Sequence, residues 1–277
     1  MPTNLHAIRQ GLTEIGSGLQ SMSEGVQRII SALPFEVDAV NFDGTNDYLL
    51  KTTALSGVSD SRTGIFSCWL NMQGGDGTNQ DIYAADGDGS VCTILRRSAN
   101  IVRVTLANNL ISSAFQFAST ETLVVADGWT NVLISWDTNA AAGLKTGHLY
   151  FNDADASVSV LLDSSAAFDV DYVASEWAAG ASTSASRKLN ADMAELYFAP
   201  GQFLDFSVEA NRRLFIDAGG KPVDLGSDGS TPTGAAPAVY FSVLPGDAAS
   251  DFATNRATGG NFTETGTLAL AGTSPSD

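Results

Sequence analysis

The chain has 277 residues, 44% of them hydrophobic, and a mean hydropathy of +0.04, which is enough apolar material for a sizeable core. Lys and Arg number 14 against 31 Asp and Glu, and the resulting net charge of −17 argues against nucleic acid or an anionic membrane surface as a partner. No apolar run approaches the ~20 residues needed to span a bilayer, and the N-terminus lacks the basic start and apolar run of a signal peptide.

The first element is a heptad stretch over residues 4–33. Leu5, Leu12, Leu19, Val26 and Leu33 fall at a, and Ile8, Ile15, Met22 and Ile29 at d, in unbroken steps of 3 and 4. A strict seven-residue repeat implies supercoiling against like helices. Gly11, Gly18 and Gly25 recur at position g, where each costs roughly 1 kcal/mol against alanine. Close packing of neighbouring backbones gives them a reason. The spacing predicts an N-terminal α-helical coiled coil over 1–34 that forms only in an assembly, with Leu at a and Ile at d leaning toward three or four strands. The alternative is one amphipathic helix lying on its own domain. Arg9 and Arg28 balance Glu14 and Glu24 here, so the whole negative excess belongs to residues 35–277.

Pro34 ends the helix, and short apolar runs separated by Gly, Asp, Asn and Ser follow. The alternation predicts strands at 35–42, 46–52, 64–72, 80–84, 91–96, 101–107, 110–118, 121–125, 130–136, 147–152, 157–162, 169–174, 192–198, 238–243 and 266–270. One short helix is expected near 208–217, with Ser207 as its N-cap and Gly219, Gly220 and Pro222 as its stop. FTETGTLALA (262–271) is expected to close the sandwich, and the final SPSD to fray. Such spacing reads as one all-β sandwich domain over 35–277. Cys68 and Cys92, both in apolar runs, read as buried free thiols, with a single disulfide between them as the alternative.

Three stretches carry a resemblance. AVNFDGTNDYL (39–49) resembles the opening strand and turn of laminin-G-like or concanavalin A-like jelly rolls. DGWTNVLISWDTN and GHLYFND (127–139 and 147–153) are similar to their central pair. ADMAELYFAPGQFLDFS (191–207) is similar to their closing strand, with Glu195 in the usual acidic position. The continuation over 209–241 resembles an extension found with this domain in tailed-bacteriophage proteins. The resemblance implies a concanavalin A-like jelly-roll β-sandwich in a virion component.

Few residues offer chemistry. His6 and His148 are the two histidines, which leaves no Ser-His-Asp or Cys-His constellation and no histidine-based zinc site. Retaining glycosidases of this fold carry Glu-x-Asp-x-x-Glu on one strand. Here Glu36 and Asp38 are followed by Asn41, so the enzyme motif is broken. No cofactor is expected. The aspartate-rich turns could hold calcium, at Asp86, Asp88 and Ser90 or at Asp43, Asn46 and Asp47, but such side chains favour tight turns for local hydrogen-bonding reasons, which is the preferred reading. Trp69, Trp129 and Trp136 read as core residues. Trp177, at a strand end before a loop, is the exposed candidate for stacking on a sugar.

The expected protein is therefore a non-enzymatic homotrimer. Its helix attaches it to other virion proteins and its lectin-like body is displayed toward host-surface polysaccharide. A purely structural capsid or tail protein and a glycoside hydrolase are the competing classes. The expected location is the virion, after synthesis in the host cytoplasm.

Overall fold

The computed structural model describes residues 17–23, 35–85, 91–108, 114–163 and 166–277. Two compact units emerge, Met1–Phe35 and Glu36–Asp277. In the first, residues 17–23 are helical, with Leu19 and Met22 exposed at 62% and 68% and nothing within 4 Å of a Cβ built on Gly18. The coiled coil expected over 1–34 is thus not shown beyond this short helix. Leu5, Ile8, Leu12, Ile15, Val26, Ile29, Leu33, Gly11 and Gly25 lie outside the described residues.

The second unit is mainly β. Its strands are β1 (Val40–Asp43), β2 (Tyr48–Lys51), β3 (Thr63–Met72), β4 (Gln80–Ala85), β5 (Cys92–Arg96), β6 (Ile101–Ala107), β7 (Ala114–Thr122) and β8 (Trp129–Asp137). They continue as β9 (Thr146–Phe151), β10 (Ala154–Asp155), β11 (Ser159–Asp163), β12 (Trp177–Ala179), β13 (Asn190–Pro200), β14 (Val239–Phe241), β15 (Thr263–Thr265) and β16 (Ala269–Leu270). Two antiparallel sheets result. The first runs β10-β9-β8-β3-β13-β1-β16, with β14 also on β13; the second runs β11-β7-β6-β5-β4-β12-β2-β15. The main core lies between them, filled by alternate residues such as Phe66, Cys68, Leu70 and Met72 of β3 and Val102, Val104 and Leu106 of β6.

The centre of this core is aromatic. Trp136 Nε1 donates to the Tyr172 hydroxyl at 2.7 Å, which donates to the Thr63 carbonyl at 2.8 Å. Gly64 makes room for this pair, since a Cβ there would lie 2.2 Å from the Trp136 ring. Cys68 and Cys92 are buried and free, and burial raises both thiol pKa values.

A second apolar cluster covers part of the outer face of the first sheet. Ile65, Leu133, Tyr150, Tyr197 and Tyr240 face Phe206, Phe215 and Leu225 of the 201–237 segment. Tyr197, Phe206 and Phe215 meet edge to face, with centroids 5.2 and 5.7 Å apart. Arg212 lies 4.5 Å over the Tyr150 ring, and with Arg213 it holds Asp153 at 2.5 Å. That double cover explains why β13 is buried on both faces.

Several local expectations are corrected. Where two strands were expected, at 110–118 and 121–125, the described residues form one, β7 at Ala114–Thr122, followed by a 3₁₀ turn at Val125–Asp127. Residues 169–174 form no strand beyond the bridge of Val170 to Ser61, and β12 and β15 take places that the alternation did not mark. The helix is only Glu209–Arg212. Its N-cap is Val208, while the Ser207 hydroxyl donates to Asp205 at 2.6 Å. The C-terminus does close the sandwich, through β15 on β2 and β16 on β1. SPSD does not fray: Ser276 bonds both the N–H and the C=O of Val37, and Lys221 reaches the last two carbonyls.

Candidate functional site

The structure buries Trp177. Its ring is 0% exposed on the core face of β12, against Tyr83 and Phe198 at 5.6 and 5.4 Å, and Nε1 donates to the Ala174 carbonyl at 3.0 Å. It cannot stack on a sugar, because β12 continues the second sheet where an exposed strand end was expected. Asp43 uses Oδ1 to accept the N–H groups of Thr45, Asn46 and Asp47 at 2.7, 3.0 and 3.4 Å, which is turn chemistry. Burial opposes these bonds, yet they hold its pKa below the usual carboxylate value. Asp86, Asp88 and Ser90 lie outside the described residues.

Of the three tryptophans read as core, Trp69 and Trp136 are buried, but Trp129 is half-exposed on the outer face of the first sheet. Its place follows from parity: Thr130, Val132, Ile134 and Trp136 point in, so Trp129 points out. Strand register then sets polar residues beside it. Trp129 pairs with Asn71 on β3, Asn71 with Asp192 on β13, Asp192 with Asn41 on β1, and Asn41 with Ala269 on β16. Trp129 to Asn41 crosses three strand spacings, about 14 Å.

Asp192 organises this row. Its Oδ1 accepts from Asn41 Nδ2 at 2.7 Å; its Oδ2 accepts from Gln73 Nε2 at 2.7 Å and more weakly from Asn71 Nδ2 at 3.4 Å. The carboxylate is 6% exposed, while Asn41 and Asn71 are half-buried and Gln73 is exposed. Burial raises the Asp192 pKa, and the three amide donors only partly offset it. With their N–H₂ groups aimed at one carboxylate, the three amides turn their carbonyl oxygens away from it, free to accept from hydroxyls. Thr273 of the C-terminal segment bonds Trp129 Nε1 at 3.2 Å and so fixes the indole. The arrangement is an aromatic plate beside a row of oriented acceptors, which suits a polyhydroxylated ligand.

Glu195 occupies a different environment. The register of β13 on β3 shifts between Ala194 and Tyr197, a bulge in which Glu195 takes φ +51°. The bulge also breaks the alternation, so Met193 faces the main core while Tyr197 faces the outer cluster. The Glu195 carboxylate is 2% exposed and accepts from the Tyr240 hydroxyl at 2.7 Å and from Ser242 at 3.1 Å. Burial pushes its pKa up to about 7 against those bonds. Glu36 stands exposed before β1. His148 lies 3.3 Å from Asp205, and Arg187 pairs with Asp81 at 2.7 Å.

No family model and no curated protein sequence matches the chain. Among solved structures it is similar to a proposed carbohydrate-binding protein of Bacteroides ovatus, with a TM-score of 0.56 and 14% identity. That match covers 86% of this chain and 60% of the other, so the chain spans less than two thirds of its relative's length. A heptameric SAP-like pentraxin of Limulus polyphemus gives a TM-score of 0.44 at 12% identity, covering 63% of this chain and 81% of that one. Domains LG4-5 of the mouse laminin α1 chain give 0.42 at 13% identity, covering 63% and 45%. The two-sheet, jelly-roll-like sandwich is thus a fold shared with the Bacteroides ovatus protein.

Proposed function

We propose that the β body is a non-enzymatic glycan-binding module, carried by an oligomerising N-terminal helix on a tailed-phage virion. The observation that carries the binding reading is the row Trp129–Asn71–Asp192–Asn41 with Gln73, where one buried carboxylate presets three amides beside a half-exposed indole. Such preorganisation lowers the entropic cost of holding a flexible hydroxylated ligand. The description of the Bacteroides ovatus protein as carbohydrate binding agrees with it. The virion role is supported by the resemblance of residues 209–241 to a phage-protein extension, and the oligomer by the heptads. Host-surface polysaccharide is the ligand this role implies.

A glycan array probed with the full chain tests the reading. The expected result is binding to a defined set of glycans that Trp129→Ala weakens at least tenfold, about 1.4 kcal/mol, with Gln73→Ala weaker in effect. Absence of any array signal, or equal signal from the Trp129→Ala protein, would overturn it and favour a purely structural virion protein.

A further inference from the structure

The outer face of the second sheet carries a charge pattern at odds with the rest of the molecule. On β5, Cys92 and Ile94 point into the core, so Thr93, Leu95 and, continuing the alternation, Arg97 point out. On β6, Val102, Val104 and Leu106 point in, so Arg103 and Thr105 point out. The register places Thr93 opposite Thr105 and Leu95 opposite Arg103, while Arg97 donates its N–H to the Ile101 carbonyl at 2.8 Å. Arg97 and Arg103 are therefore diagonal neighbours on one face, about 7–8 Å apart at the backbone. On the next strand Asp81 sits opposite Leu95 and binds Arg187 through Oδ2 at 2.9 and 2.7 Å.

Three guanidinium groups thus gather on one face of a protein with 14 basic and 31 acidic residues. Asp81 is engaged by Arg187, and among the described residues neither Arg97 nor Arg103 has an acidic group within ion-pair distance. Burial lowers the Arg103 pKa, Arg97 and Arg187 lower it further, and Asp81 only partly opposes them. Behind them Thr93 and Thr105 are 1% and 4% exposed, and their hydroxyls, like Arg103 Nε, are buried without a hydrogen-bond partner among the described residues. Buried donors are ordinarily satisfied. A cluster of unsatisfied donors with excess positive charge is matched by an anion offering several acceptor oxygens.

We propose that Arg97 and Arg103, backed by the hydroxyls of Thr93 and Thr105, form a second site that binds the anionic substituent, a carboxylate or sulfate ester, of an acidic polysaccharide. The polysaccharide carrier rests on the glycan reading above; the anion chemistry rests on this face alone. The planar forks of two arginines suit bidentate contact with either group. The site lies on the sheet opposite Trp129, so the two can be occupied independently.

Calorimetric titration of the full chain with heparin oligosaccharide, oligogalacturonate and inorganic sulfate tests this. An acidic oligosaccharide should bind, should lose at least tenfold in affinity in the double variant Arg97→Ala with Arg103→Ala, and should weaken as salt rises. Arg103→Lys should fall between the two, while its unchanged thermal melt shows that the face still folds. Heparin binding without oligogalacturonate binding assigns a sulfate ester, and the reverse assigns a carboxylate. Equal affinity for inorganic sulfate and the oligosaccharides would overturn the polysaccharide assignment. Absence of acidic-probe binding, or wild-type affinity in the double variant, would overturn the site. Failure of the Trp129 reading appears separately, as unchanged array binding in Trp129→Ala.

Discussion

Glu195 keeps a carboxyl group beneath Tyr240 and Ser242 on a bulge, and its titration has a definite sign. Its pKa in the fold is about 7, against a reference value of 4.5 for the unfolded chain. Below the lower value both states are protonated and the group costs nothing. Between the two, the unfolded state releases its proton first, so stability falls as pH rises and levels off above the folded value. The loss amounts to about 3 kcal/mol at most. Glu195→Gln, which still accepts from Tyr240, should therefore flatten the melting temperature between pH 5 and 8. Identical wild-type and variant profiles would mean that the carboxylate is ionised throughout. Residue identity alone could not reveal this, because strict alternation puts Met193 and Tyr197 on one face and the bulge separates them. The tryptophans teach the same lesson. Trp177 sits beside a loop in sequence yet is 0% exposed, and Trp129 opens an apolar run yet stands outside. Both depend on which neighbour each strand finds.

At the scale of elements, period-2 runs with Gly-Asp-Asn turns marked β3, β6, β8 and β13 within a residue or two, since each is long and buried. Among the failures are two short strands, β12 and β15, three residues each, whose ladder partners are distant in sequence. The candidate site was illegible for the same reason. Asn41, Asn71, Trp129 and Asp192 lie on four strands, and only their register makes a row of them. The signal within reach was Asn41, the residue that breaks the glycosidase motif and here donates to Asp192. The C-terminal segment supports that site. Its Ser276 bonds Val37 on both sides, and Thr273 holds the Trp129 indole. Deleting residues 272–277 should leave the sandwich folded but shift Trp129 emission to the red and weaken glycan binding. The red shift should vanish in a Trp129→Phe background. An unchanged spectrum would mean that the segment does not position the indole.

For the whole molecule, charge decides where self-association can occur. The four charges of residues 1–34 cancel, so the −17 belongs entirely to the β body. Bodies of like charge repel within the screening length of about 8 Å at physiological salt. Self-association through the neutral N-terminal segment, whose Leu19 and Met22 are exposed at 62% and 68% within the helical stretch 17–23, avoids this repulsion. Linking several bodies on one stem would let weak glycan contacts add, by effective concentration and without a new contact. Light scattering at matched concentration should give the full chain three times its 28.8 kDa and residues 35–277 the mass of a monomer. Leu19→Asp should dissociate the full chain, because a charge at an a position has no partner in a helical seam. High salt should not restore the assembly, since the defect is buried and not screened. A monomeric full chain would overturn self-assembly and recast the heptads as a docking face for helices of another virion protein. Assembly of the 35–277 fragment would instead place the contact on the β body and make repulsion between bodies the weaker term.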